Sequence, residues 1–102
     1  MSLPIEINYL DPEKPRGLVG PRPTIKKNTK FRVFSKDGPL KFHFKGDAPF
    51  AHDPGELEGD TDHVATKPGI YKFKCKIHTA AGDVELDPDS PSETGGEMEV
   101  IP

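Results

Sequence analysis

Residues 68–78 read Pro68-Gly69-Ile70-Tyr71-Lys72-Phe73-Lys74-Cys75-Lys76-Ile77-His78, and this stretch decides the fold. Tyr71, Phe73, Cys75 and Ile77 fall at every second position, with Lys72, Lys74 and Lys76 between them. A period of two is the mark of a strand with one face buried and one in water. The only cysteine of the chain therefore points inward near the end of that strand, and the spacing places His78 in the turn that follows. A thiolate leaving a rigid strand, with an imidazole beside it, supplies two of the three short bonds of a trigonal Cys-His-His copper centre.

Outward from this strand the chain repeats the pattern in short pieces. With 102 residues it makes one domain, residues 1–102, with a single core. Hydrophobic residues make up 32% and charged residues 30%, and there are 10 Gly and 12 Pro. The prolines leave few windows for a stable helix, since each removes a donor and clashes with the preceding turn. An all-β sandwich of roughly seven or eight short strands is the economical answer. Ile5 to Tyr9 alternates as a first strand, followed by a long Pro/Gly-rich connection through Pro23. Thr24 to Phe34 reads as two short strands or one bent strand, and Ser35-Lys36-Asp37-Gly38 as a turn. Leu40, Phe42 and Phe44 alternate with Lys41, His43 and Lys45, which gives a further strand. Residues 46–62 form an acidic loop with Phe50 as its apolar anchor, and His63 to Thr66 a short strand. After the turn at Thr79-Ala80-Ala81-Gly82, residues 83–86 alternate again, residues 87–96 read as a mobile acidic loop, and Glu97 to Val100 closes the domain.

The formal net charge is −3. The cluster Lys26, Lys27, Lys30 and Arg32 reads as a solvated strand face, so no nucleic-acid partner is expected. No apolar run reaches the length of a membrane-spanning helix, and membrane insertion is not expected. Met1-Ser2-Leu3, read as a remnant left where an export signal was removed, would place the chain outside the cytoplasm; the localisation stays open. One cysteine excludes an internal disulfide and any multi-cysteine zinc or iron–sulfur site within the chain. A lone buried cysteine otherwise behaves as a small hydrophobe.

The late Pro-Gly-x-Tyr-x-Phe-x-Cys-x-x-His segment, followed by Gly96-Glu97-Met98-Glu99-Val100, resembles the cupredoxin family of plastocyanin-like copper proteins. The resemblance implies a Greek-key β-sandwich with copper near one end, Cys75 as thiolate ligand and His78 as ligating imidazole, cycling one electron with a redox or copper-donor protein partner. Three departures stand against it. The family's first histidine ligand follows a turn at the start of an inner strand, where this chain has Pro39-Leu40. Leucine cannot bind copper, and His43 lies on the opposite face of that strand. The family's weak axial Met is replaced by Ala81, Gly82 and Asp83, while Met98 reads as core. The segment between His78 and the last strand is also long enough to hold a strand of its own.

A rescuing third metal ligand is best sought at His52, unconstrained by strand parity and next to Asp53, then at His63, with Asp83 or Glu85 as oxygen donors. The alternative keeps the sandwich without metal, as a cupredoxin-like or immunoglobulin-like structural or interaction module in which Cys75 is a core residue. The immunoglobulin version lacks a second Cys and a core Trp. An enzyme is not expected, since Cys75 and His78 carry no assured thiol-to-imidazole contact and no oxyanion-hole motif accompanies them.

Overall fold

One long strand built from the alternation at residues 69–79 borders three others and sets the architecture. A computed structural model of the chain describes residues 2–9, 17–18, 21–89 and 96–102. Among the described residues there are ten strands: β1 (Leu3–Asn8), β2 (Gly17–Leu18), β3 (Thr24–Lys26), β4 (Thr29–Phe34), β5 (Leu40–Phe44), β6 (Leu57–Glu58), β7 (His63–Ala65), β8 (Gly69–Thr79), β9 (Gly82–Leu86) and β10 (Gly96–Ile101). No helix occurs among them. The strands form two sheets, ordered β2-β1-β4-β7 and β3-β10-β8-β5-β6, with β9 added to the edge of β8. Both sheets are mixed: β1 runs parallel to β4 and β10 parallel to β3.

The two inner faces share one core, with Ile5, Ile7, Phe31, Val33 and Ala65 from the first sheet against Leu40, Phe42, Phe44, Tyr71, Phe73, Cys75, Ile77, Leu86, Met98 and Val100 from the second. The all-β sandwich expected from the alternation is what the chain forms. The strand number exceeds the expected seven or eight because β2 and β6 have two residues each, too few to show a period.

β5 pairs antiparallel along one edge of β8, from Leu40 opposite Ile77 to Phe44 opposite Phe73. The other edge is divided. β10 covers its first half, with Gly96 opposite Phe73, and β9 its second, with Leu86 opposite Cys75. Phe73 is the centre of an aromatic cluster, its ring 5.4 Å from both Phe42 and Phe44. Burying each such ring stabilises the fold by about 1.5–3 kcal/mol relative to leaving it in water. Phe50, the expected loop anchor, stacks on Phe31 at 6.3 Å and meets Phe44 edge-on at 5.8 Å, which ties residues 46–62 to the core.

Tyr71 fixes the start of β8. Its hydroxyl lies 2.8 Å from the Lys67 carbonyl oxygen and 2.9 Å from that of Pro68, so one O–H is shared between two acceptors at the corner. Burial pushes the Tyr71 phenol up from its ordinary pKa, which keeps the donor protonated. Gly69 accommodates the ring: at φ +150° a Cβ there would approach the Tyr71 hydroxyl to 2.9 Å.

Three expectations need correction or limits. His78 is not a turn residue: β8 continues through Thr79, and the turn is confined to Ala80 and Ala81. The Thr79 hydroxyl donates to the Gly82 carbonyl at 2.7 Å and accepts from the Ala81 N–H at 3.1 Å, which closes the hairpin two residues beyond Ile77. At the start of the acidic loop expected to be mobile, Asp87 and Asp89 are held by lysines; residues 90–95 lie outside the described residues, as does most of the connection after Tyr9.

Gly96 carries the tightest packing constraint, because a Cβ built there would lie 1.8 Å from Cε2 of the fully buried Phe73 ring. Gly96→Ala is expected to destabilise the domain by about 3 kcal/mol or more, since the ring has no free space to move into. A urea midpoint within error of wild type would show that this contact is not as close as described.

Candidate functional site

Cys75 is a core residue. It is 1% exposed, faces inward between Phe42 of β5 and Leu86 of β9, and has neighbours on both edges of its strand. Burial pushes its thiol pKa up to about 12, against a smaller opposing effect from a hydrogen bond with the backbone of Gly96. A thiol in that state is neither nucleophilic nor thiolate at neutral pH.

His78 is three positions further along the same strand, and an odd offset puts it on the other face. Its side chain is 74% exposed. The backbone holds it there, because the His78 N–H donates to the Pro39 carbonyl at 2.8 Å. Gly38 packs against the same peptide so closely that a Cβ would lie 2.0 Å from the His78 carbonyl oxygen. Across the hairpin His78 faces Asp83, with Nδ1 2.5 Å from Oδ1. The hydrogen bond with His78 is the largest influence holding the Asp83 carboxyl below the ordinary carboxylate range. The two residues that look like half a copper site in the sequence thus lie on opposite faces of β8, and as they stand they do not fit one coordination sphere.

The other candidates are dispersed. His52 is exposed, and Asp53, expected to orient its ring, instead accepts from the Gly55 N–H at 2.9 Å in a local turn. His63 lies between the sheets, its ring 5.8 Å from Phe31 and 5.6 Å from Phe42, with Nε2 3.0 Å from the Glu58 carbonyl oxygen. Glu85 is opposite Lys76 on the outer face. Among the described residues no three His, Cys, Asp or Glu side chains converge as a metal-binding group. Leu40, where the resemblance calls for a histidine, is 3% exposed and packs into the core opposite Ile77.

The feature that reading each strand separately missed is the outer face of the second sheet. Lys41 lies directly opposite Lys76 and His43 opposite Lys74, and the Lys45 N–H donates to the Lys72 carbonyl at 2.9 Å. Two adjacent strands therefore present a continuous basic stripe on one side of the sheet, with no acidic residue at its outward positions. Acidic residues border it: Glu56 and Glu58 near Lys41, Asp83 and Glu85 on β9, Glu97 and Glu99 on β10. A shallow cavity of about 290 Å³ opens at one end, lined by Leu40, Lys41, Glu58, Lys76, His78 and Asp83. The signal was present in the sequence as two lysine-alternating strands, but their register was not.

Asp87 and Asp89 reach onto this stripe from the end of β9. Asp87 accepts from Lys45 Nζ at 2.8 Å and lies 3.5 Å from Lys74 Nζ, while Asp89 pairs with Lys45 and accepts from Lys72 Nζ at 3.4 Å. The Lys45 hydrogen bond is the main cause holding the Asp87 carboxyl down to about 2, and Asp89 is lowered in the same way. Lys45 is raised in turn, first by Asp87 and then by Asp89.

No family model, curated protein or solved structure matches the chain.

Two outcomes are expected. The Cys75 thiol should react with an aromatic disulfide reagent at about pH 8 only as fast as the domain opens, and rapidly once urea unfolds it; fast labelling of the folded protein would place the sulfur at the surface instead. The depressed Asp87 and Asp89 carboxyls, with Asp83, contribute stability that is present above the ordinary carboxylate range and is lost as pH falls from about 4 towards 2. Urea midpoints measured across that interval should fall less for D87N/D89N than for wild type; equal falls would remove these groups from the acid response.

Proposed function

We propose that the chain is a non-enzymatic, cupredoxin-like Greek-key sandwich that works as an interaction module without copper, its cysteine serving the core and its outer sheet face meeting a partner. One observation carries the reading: β8 runs unbroken through Thr79, so Cys75 faces the core and His78 faces water. The buried, protonated thiol and the leucine at position 40 complete a hydrophobic interior where the resemblance calls for two ligands. Among the described residues no acid–base pair with a nucleophile supports catalysis. His78 and Asp83 form a dyad, but the thiol is on the other side of the strand.

A second reading, copper binding through Cys75 and His78 with His52 as third ligand, draws support from the Asp83 carboxylate. It holds Nδ1 of His78 as carboxylates hold metal-ligating histidines. It requires the end of β8 to leave the sheet, breaking the His78 to Pro39 hydrogen bond and the Thr79 hairpin.

Adding Cu(II) to the reduced, pure protein separates the two. The first reading expects no intense visible thiolate-to-copper absorption and the same weak copper affinity in wild type, Cys75→Ala and His52→Ala. Strong visible absorption that Cys75→Ala abolishes would overturn it in favour of a copper–thiolate centre.

A further inference from the structure

The arrangement on the outer face of the second sheet is costly. Like charges directly opposite one another on neighbouring strands destabilise a sheet, yet Lys41 faces Lys76, and Lys74 faces His43 with Lys72 beside Lys45. A stability optimum would alternate signs across the β5–β8 pair, as the flanking β8–β9 pair does with Lys76 opposite Glu85 and His78 opposite Asp83. Places where a sequence breaks a local rule without a structural gain are where function is expected. The lysines are partly exposed, with side-chain accessibilities from 29% at Lys45 to 53% at Lys41. At the Lys41–Lys76 end the nearest carboxylates stand off at 3.8–3.9 Å, beyond hydrogen-bond distance.

The chain itself shows what chemistry fits the stripe. β9 leaves the edge of β8 at Leu86, opposite Cys75, and β10 joins the same edge at Gly96, opposite Phe73. Just after Leu86 the chain does not keep to that edge: Asp87 and Asp89 cross the outer face as far as Lys45, which follows β5. Two carboxylates at alternate positions are gripped by three ammonium groups, those of Lys45, Lys72 and Lys74. The two carboxylates bracket a turn at Pro88, with the Asp89 N–H donating to Asp87 Oδ1 at 3.0 Å, and both converge on Lys45. An extended segment would instead set alternate residues about 6.6 Å apart, the same interval as lysines two apart on a strand. An extended acidic segment therefore matches the stripe in both charge and period.

We infer that the stripe formed by Lys41, Lys45, Lys72, Lys74 and Lys76 is a docking surface for an extended acidic peptide of a partner protein, with Asp87 and Asp89 occupying part of it in cis as an internal competitor. The inference rests on the interaction-module reading and names the partner's chemistry. Width favours a peptide over a nucleic acid: the stripe is two strands across and is bordered on both sides by Glu58, Glu85, Glu97 and Glu99, in a chain of net charge −3. A phosphate backbone broader than one extended chain would run into those carboxylates. Displacing Asp87 and Asp89 returns two carboxylates to water and frees three ammonium groups for the incoming segment. The exchange is close to even for those contacts, and the Lys41–Lys76 end supplies the net gain.

The test is fluorescence anisotropy at low ionic strength with a labelled peptide carrying aspartates at alternate positions, and a serine-substituted peptide as control. D87N/D89N removes the internal competitor, and it should bind about tenfold tighter than wild type if the competitor is in place some nine-tenths of the time. Adding K41A/K76A to that background, at residues that do not touch Asp87 or Asp89, should weaken binding again. Raising salt should weaken every complex. All substitutions are at exposed positions except that at the half-buried Asp87, and slow labelling of Cys75 verifies that each variant is folded. Equal affinity of wild type and D87N/D89N, indifference to K41A/K76A, or an oligodeoxynucleotide that outcompetes the peptide would each overturn the proposal. The visible copper–thiolate absorption reads the Cys75 thiol on the inner face of β8, so an absorbing complex would sink the metal-free reading without deciding the peptide result.

Discussion

Everything else in this domain depends on the position of β8 between β5 on one edge and β9 and β10 on the other. A strand hydrogen-bonded on both edges cannot slip by one residue without moving its whole inward set to the solvent side. Tyr71, Phe73, Cys75, Ile77 and Thr79 are therefore committed to the core together, and Lys72, Lys74, Lys76 and His78 to the outside together. The aromatic cluster around Phe73 enforces the commitment from within, and the Tyr71 hydroxyl anchors the strand's first turn of chain. The opposition of lysines across β5 and β8 is a consequence of the same register: once Phe42 is set beside Cys75 in the core, Lys41 must stand beside Lys76 outside.

That consequence sets two parts of the molecule against each other. The inner face of the β5–β8 pair is among the best-packed regions of the domain, with Phe42, Phe73, Cys75 and Ile77 all 1% exposed or less, while its outer face concentrates like charge. The core is strong enough to hold the lysines together, and the carboxylates of Asp87 and Asp89 relieve part of the repulsion from outside the two strands. Exposed ion pairs contribute little to stability one at a time. A cluster in which two carboxylates serve three lysines differs from isolated pairs because losing either partner leaves a local excess of one sign.

Most of the fold was legible in the sequence, because one face of each longer strand is buried and burial imposes a period of two. The alternations at Leu40 to Phe44, Tyr71 to Ile77 and Glu97 to Val100 reappear as the inward and outward residues of β5, β8 and β10. The two-residue strands β2 and β6 were not legible, since their pairing is fixed by the strands they meet and not by their own residues. The basic stripe was half legible. Each strand's lysines were visible, but their juxtaposition depends on a register set by long-range pairing. The grip of Lys45 on Asp87 and Asp89 was not legible, because 42 and 44 residues of chain separate the partners.

The placement of the candidate metal-ligating pair was not legible for a related reason. A cysteine and a histidine three residues apart can meet at one ion only if the strand ends between them and the chain turns back, since an unbroken strand sends odd offsets to opposite faces. Composition gave every reason to end the strand near Ile77, with Thr79, Ala80, Ala81 and Gly82 following. What carries it on is contributed from elsewhere: the Pro39 carbonyl captures the His78 N–H, Gly38 fits against the same peptide, and β9 returns to pair Thr79 with Gly82 and His78 with Asp83. Which faces the two residues of a Cys-x-x-His spacing occupy is thus decided by the neighbours that extend or release the strand end, and in this chain the neighbours extend it.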